Sequence, residues 1–102
     1  MSYSAKERRR IDIMKREVGC VACTMLDVFN EADFHHIVSG GRRLGKMRGY
    51  PLCPYHHRGV GEGVGPSLAH GSKPFHAVFG TDEYLERRAN EMADAFELRV
   101  VK

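Results

Sequence analysis

The sequence predicts a small α+β domain stapled by a metal ion, with a helix at each end. Three observations predict it. Two pairs of metal-ligating residues share a two-residue spacing, Cys20-Val-Ala-Cys23 and Cys53-Pro-Tyr-His56. Two short stretches, Ala32–Ser39 and Tyr50–Cys53, read as strands between glycine-rich breaks. Helical apolar spacing marks both ends of the chain. A length of 102 residues suits a single domain spanning 1–102. At 42% hydrophobic residues the chain is globular rather than disordered.

Residues 4–17 form the expected N-terminal helix, with Ile11, Met14 and Val18 at spacings of three and four. Gly19 breaks that pattern. Ala32–Ser39 is the first strand, anchored by Phe34 and Ile37, and Gly40–Gly49 is a glycine-punctuated basic loop. Tyr50–Cys53 is the second strand, where Pro51 suits an edge. A helix starts near Pro54, since proline is tolerated in a first turn. Five glycines between Arg58 and Pro74 predict a loop. The core therefore covers 18–80. The C-terminal helix covers 81–98, with Thr81 as its N-cap and Leu85, Ala89, Met92 and Phe96 as its apolar stripe.

A Cys-x-x-Cys pair grips one tetrahedral zinc through a tight knuckle, and Cys53 with His56 supplies the two missing ligands. Such a set, placed where a strand passes into a helix, resembles a treble-clef zinc finger. A thioredoxin-like redox pair would need a βαβ pattern, which the sequence lacks. Three cysteines in a reducing compartment favour metal over disulfides. A small glycine-rich domain gains folding free energy directly from such an ion.

Zinc ligation by His56 leaves His57 without a role. His35 and His36, adjacent on a strand, point to opposite faces. One of these imidazoles can bind metal while another acts as a base. Together, "DFHHI", the basic loop and "PLCPYHHRG" resemble the HNH, or ββα-metal, nuclease fold in its zinc-stapled form. More narrowly, "FHHI", "PLC..HHRG", "HG" and "F..VFG" resemble the phage-encoded recombination-enhancement family of RecA-dependent nucleases.

This resemblance implies a metal-dependent DNA endonuclease or nickase. His36 matches the general base, and His35 and His57 match ligands of a catalytic divalent ion, with His70 completing that site. The ion is magnesium, manganese, nickel or zinc. The resemblance also implies DNA as partner, a role in phage recombination, a RecA-type recombinase filament, and a bacterial or phage-infected cytoplasm. The chain departs from the HNH pattern in having neither Asn nor Asp between His36 and His57.

A net charge of +3 permits nucleic-acid binding without arguing for it. Its distribution is more telling: Arg42, Arg43, Lys46 and Arg48 crowd one loop and suit phosphate contacts, and Arg58 is a candidate phosphate clamp. Lys6, Arg8, Arg9 and Arg10 form a second cluster. "GGRRLGKM" begins like a phosphate loop but offers Met47 where Ser or Thr would hold magnesium, which excludes that class. No apolar run is long enough to span a membrane, and the N-terminus lacks a secretory core, so a cytoplasmic location is expected. The rival expectation is a non-catalytic zinc module for nucleic-acid or protein interaction, which would need no His36.

Overall fold

The computed structural model describes residues 2–100, with side chains through residue 99. Helix α1 (Ala5–Ile13) opens on a capping box in which Ser4 Oγ accepts from the Glu7 amide (3.1 Å) and Glu7 Oε1 accepts from the Ser4 amide (2.8 Å). The helix does not stay regular to residue 17. Its last turn widens into a π-helical segment, Met14–Val18, closed by the Gly19 amide on the Met14 carbonyl (3.0 Å). One extra residue per turn shifts the inward face. Ile13, Met14 and Val18 are buried as a result, while Ile11 is only half-buried.

A single turn, α2 (Val21–Thr24), leads into an extended loop and then β1 (Asp33–His36). Strand β1 stops at His36, short of the expected end at Ser39. Beyond the buried Ile37, β2 (Val38–Ser39) pairs with β3 (Arg42–Arg43) as a small hairpin. The basic loop is therefore partly structured. Its turn is Gly40-Gly41, with φ of 61° and 79°, the left-handed conformation that a two-residue hairpin turn demands.

Strand β4 (Gly49–Leu52) returns antiparallel to β1, with His35 opposite Tyr50 and His36 opposite Gly49. Pro51 sits opposite Phe34 in a two-stranded sheet, where both strands are edges and a missing N–H is tolerated. Helix α3 (Pro54–Arg58) follows at once, so β1, β4 and α3 form a ββα unit.

The region expected as loop to Pro74 ends earlier. After a 3₁₀ turn at Leu68–His70, helix α4 (Ser72–Phe79) buries Phe75 and Phe79, one turn apart. Those two rings lie 5.1 Å apart and supply the contact energy that overrides the flanking glycines. Helix α5 (Asp82–Val100) is capped by Thr81, whose hydroxyl accepts from the Tyr84 amide (3.1 Å). Leu85, Ala89 and Ala93 are its buried stripe, with Met92 and Phe96 packed at the margin.

Two polar ties fix α5 to the rest. Arg10 of α1 bonds Asp94 (2.8 Å), Glu97 and Asn90, so it is a structural clamp rather than a free member of the N-terminal cationic cluster. Tyr50 donates to Asp82 (2.6 Å), and Glu86 accepts from both the Gly49 amide (3.0 Å) and the Arg48 guanidinium (2.8 and 3.0 Å). Burial, then the bond to Asp82, push the Tyr50 phenol well up, so it remains a donor.

Gly49 marks the closest approach in the sheet: a Cβ there would stand 2.1 Å from the His35 carbonyl oxygen. Gly49→Ala is expected to cost ~1–3 kcal/mol through the forced shift of β1. Urea unfolding at constant m measures it, and an unchanged midpoint would contradict the tight register.

Candidate metal centre and active site

Each ligand pair sits at a helix start. Cys20 is the N-cap of α2 and accepts from the Cys23 amide (3.4 Å); Cys53 is the N-cap of α3 and accepts from the His56 amide (3.5 Å). The local fold thus turns each side chain inward while satisfying the first amides of the turn. All four residues are buried, and their ligand atoms lie within 4.8 Å of one another.

The spacings fit one tetrahedral ion. Zinc–ligand distances of ~2.3 Å to sulfur and ~2.0 Å to nitrogen place two sulfurs about 3.8 Å apart and sulfur and nitrogen about 3.5 Å apart. Cys23 and Cys53 Sγ are 3.7 Å apart, and His56 Nδ1 stands 3.5, 3.5 and 3.3 Å from Cys20, Cys23 and Cys53. The Cys3His group can therefore hold a structural ion such as Zn²⁺. Burial raises the Cys20 and Cys23 thiols, so a cation is what would make thiolates affordable there.

Two outer contacts orient these ligands. His56 Nε2 donates to the Val64 carbonyl (2.9 Å), which turns Nδ1 toward the sulfurs. Asn30 Nδ2 donates to Cys23 Sγ (3.3 Å). Neither partner carries a spacing signal in the sequence.

The next residue faces the other way. His57 Nε2 meets His35 Nδ1 at 3.3 Å, with the rings edge to face at 5.1 Å. Two imidazole nitrogens bound to one ion at ~2.1 Å stand about 3.0–3.4 Å apart, so the pair has the separation of two adjacent ligands. Burial, then the neighbouring His57, push His35 down to about 4. Burial also lowers His57, partly opposed by Asp33. Both rings are neutral near pH 7, with lone pairs available. His57 Nδ1 is buried without a hydrogen-bond partner.

His36 lies on the opposite face of β1, stacked edge-on against Phe34 (5.1 Å). Its Nε2 is 3.1 Å from the Lys46 carbonyl and 3.2 Å from the Tyr3 hydroxyl. Burial and Arg43 lower its pKa, while the bond to Lys46 raises it. His70 stands over Gly59 and Tyr55. Among the described residues, only Cys20, Cys23, Cys53 and His56 form a cluster of three or more potential ligands, so His70 does not complete a trio with His35 and His57. His76 bonds the Gly80 carbonyl (2.7 Å) and approaches Asp82 (3.5 Å), a structural position.

The basic residues divide. Lys46 pairs with Glu7 (3.0 Å), Arg48 with Glu86, and Arg58 with Asp33 (3.5 Å). Arg42 and Arg43 are exposed on the β2–β3 hairpin with no acidic partner among the described residues.

A ββα unit joined to a Cys3His group, with a second histidine pair one residue beyond it, defines a metal-binding α+β domain. Residues 3–94 match the family described as recombination enhancement, RecA-dependent nuclease, and the chain belongs to that family. Membership makes it a nuclease-type protein with a nucleic-acid substrate. No curated protein matches the chain. No helix among the described residues is long and apolar enough to cross a membrane.

Cys23→Ser is expected to lose the bound ion and most of the cooperative thermal transition. Metal content by mass spectrometry, read beside circular dichroism, checks both. A folded, metal-free Cys23→Ser protein would refute the staple.

Proposed function

We propose that the protein is an HNH-type, metal-dependent DNA endonuclease that nicks phosphodiester bonds, with His36 as general base and a divalent ion held by His35 and His57. The observation that carries this reading is the 3.3 Å approach of His35 Nδ1 to His57 Nε2. It lies beside a separate Cys3His group, so structural and catalytic ions have different ligands. The divalent ion, when bound, supplies Lewis-acid stabilisation of the charge that builds on the phosphate and the leaving 3′ oxygen. Two imidazoles suit nickel or zinc more than manganese or magnesium. His70, in the 3₁₀ turn beside Gly59, stands outside ligand distance of this pair, so a third ligand from it requires that turn to move on ion binding.

The Lys46 carbonyl is acceptor-only, so His36 Nε2 must carry the ring proton and Nδ1 keeps the lone pair. His36 is the last residue of β1, and from the strand end its Nδ1 takes a proton from water as the water oxygen bonds to phosphorus and the P–O3′ bond breaks, the leaving 3′ oxygen taking its proton from solvent. The products are a 5′-phosphate and a 3′-hydroxyl. The lowered pKa of His36 keeps the imidazole neutral and competent at working pH. Lys46 and the Tyr3 ring take the place of an Asn-held loop as the anchors beside the base: Lys46 Nζ bonds the Ser2 carbonyl (3.1 Å) and lies over Tyr3 (5.7 Å).

Arg42 and Arg43 are the unpaired cations best placed for the DNA backbone, and Arg58, Lys46 and Arg48 would exchange carboxylates for phosphates. The family name motivates a RecA-type filament as partner in recombination, and the resemblance of the sequence motifs adds a phage setting.

In plasmid nicking with magnesium, manganese or nickel, His36→Ala should lose roughly 10²–10⁴-fold in rate. Its ion content and Tm should stay near wild type. Equal cleavage by His36→Ala would refute the base assignment, and no cleavage by wild type with any of the three ions would favour the non-catalytic zinc module. Replacing both Arg42 and Arg43 by alanine should weaken DNA binding at all sequences and lower the slope of log affinity against log salt by about 2. Fluorescence anisotropy at several salt concentrations measures that slope, and an unchanged slope would remove the hairpin from the interface.

A further inference from the structure

We propose that Tyr3 is a positioning residue for His36, and that the segment preceding α1 is thereby part of the active site. The inference rests on His36 being the general base.

The geometry is a closed triangle. Tyr3 Oη lies 3.2 Å from His36 Nε2 and 3.5 Å from the Lys46 carbonyl oxygen, which itself lies 3.1 Å from Nε2. A carbonyl only accepts, so the proton between His36 and Lys46 belongs to Nε2. The Tyr3 oxygen then shares that proton as a second acceptor, and its own O–H turns to the Lys46 carbonyl. The other arrangement, Tyr3 donating to a bare Nε2, would leave the Lys46 oxygen against a lone pair. Only one tautomer satisfies all three groups, the one that leaves Nδ1 free to take a proton.

Tyr3 is held in place for this. Arg8 Nη1 donates to the Tyr3 carbonyl (2.7 Å), and the capping box at Ser4 and Glu7 fixes the next residues. Lys46 Nζ reaches the Ser2 carbonyl (3.1 Å) and Glu7 (3.0 Å) on either side of Tyr3. A residue 33 positions upstream of the base is thus brought to it by Lys46, whose contacts with Ser2, Glu7 and the Tyr3 ring do not involve the base itself. On the opposite side, the Phe34 ring edge limits rotation of the imidazole.

The consequence is twofold. Tyr3 adds a second acceptor at the Nε2 proton that the Lys46 carbonyl already sets, and so holds the ring in place before reaction. It also stabilises the imidazolium after Nδ1 has taken the proton, because both oxygens at Nε2–H accept. Tyr3 touches neither phosphate nor water in this scheme and acts only through His36.

The test compares wild type, Tyr3→Phe and His36→Ala in plasmid nicking at saturating metal, with ¹⁵N spectra of the imidazole rings. Tyr3→Phe should lower kcat roughly tenfold or more, the share of one hydrogen bond to a group that becomes charged. KM for DNA and Tm should stay at wild-type values, and the His36 Nε2–H proton resonance should move upfield as one of its two acceptors is lost, with the tautomer still held by the Lys46 carbonyl. Absence of either the kcat loss or the resonance shift overturns the assignment. A kcat loss matched by a lower Tm with the resonance unmoved also overturns it, and gives Tyr3 a packing role. Active His36→Ala refutes the base reading; inactive His36→Ala with fully active Tyr3→Phe refutes only the role of Tyr3.

Discussion

Everything in this domain hangs on the convergence of two helix starts. Cys20 and Cys23 arrive from the N-terminal side, Cys53 and His56 from the end of the sheet, and all four ligand atoms fall within 4.8 Å. A chain of this size has a thin core, so a cross-link between distant segments determines whether the rest can pack. The sheet has only two four-residue strands in its main pairing, which would be marginal alone. Joined through the ligand set to α2 and α3, and through Tyr50 and Gly49 to α5, the same sheet becomes a fixed platform.

That platform organises the histidines by simple geometry. Successive residues on β1 face opposite ways, so His35 meets the helix while His36 meets the basic turn and the N-terminal segment. Successive residues on α3 are rotated by about 100°, so His56 joins the sulfurs while His57 meets His35. Two adjacent pairs, one on a strand and one on a helix, thereby divide four imidazoles among three environments. One belongs to the buried Cys3His group, two face each other as neutral lone-pair donors, and one is held by a carbonyl and a phenol.

How much of this was legible in the sequence follows from what spacing encodes. The Cys3His set was legible because a knuckle requires its ligands two residues apart, and that requirement is local. The division between His56 and His57 was legible for the same reason. The N-terminal helix was legible to its start, but the π-helical turn that moves Ile13 inward has no signature in a 3.6-residue period. Helix α4 was hidden because glycine and proline flank a short apolar pair whose value depends on tertiary contact. The β2–β3 hairpin carried a readable Gly-Gly turn signal, masked by the surrounding charge. Tyr3, Asn30 and Glu86 were not legible, since each acts on a partner far along the chain or on a backbone atom. The same holds for the pairing of Lys46, Arg48 and Arg58 with carboxylates, which turns three apparently free cations into exchangeable ones.

The opposite facing of His35 and His36 has a consequence for how such a domain tolerates change in length. The loop between α2 and β1 can absorb an inserted residue, because its ends are fixed and its middle is exposed. An insertion inside β1 has no such outlet. It would reverse the faces of every residue beyond it and exchange the surroundings of the two imidazoles, presenting the wrong ring to His57 and the wrong ring to Lys46. Every other residue would be unchanged, and the Cys3His group, which draws nothing from β1, would still assemble. Length variation is therefore expected to be abundant before Asp33 and absent within the four residues of β1, Asp33–His36.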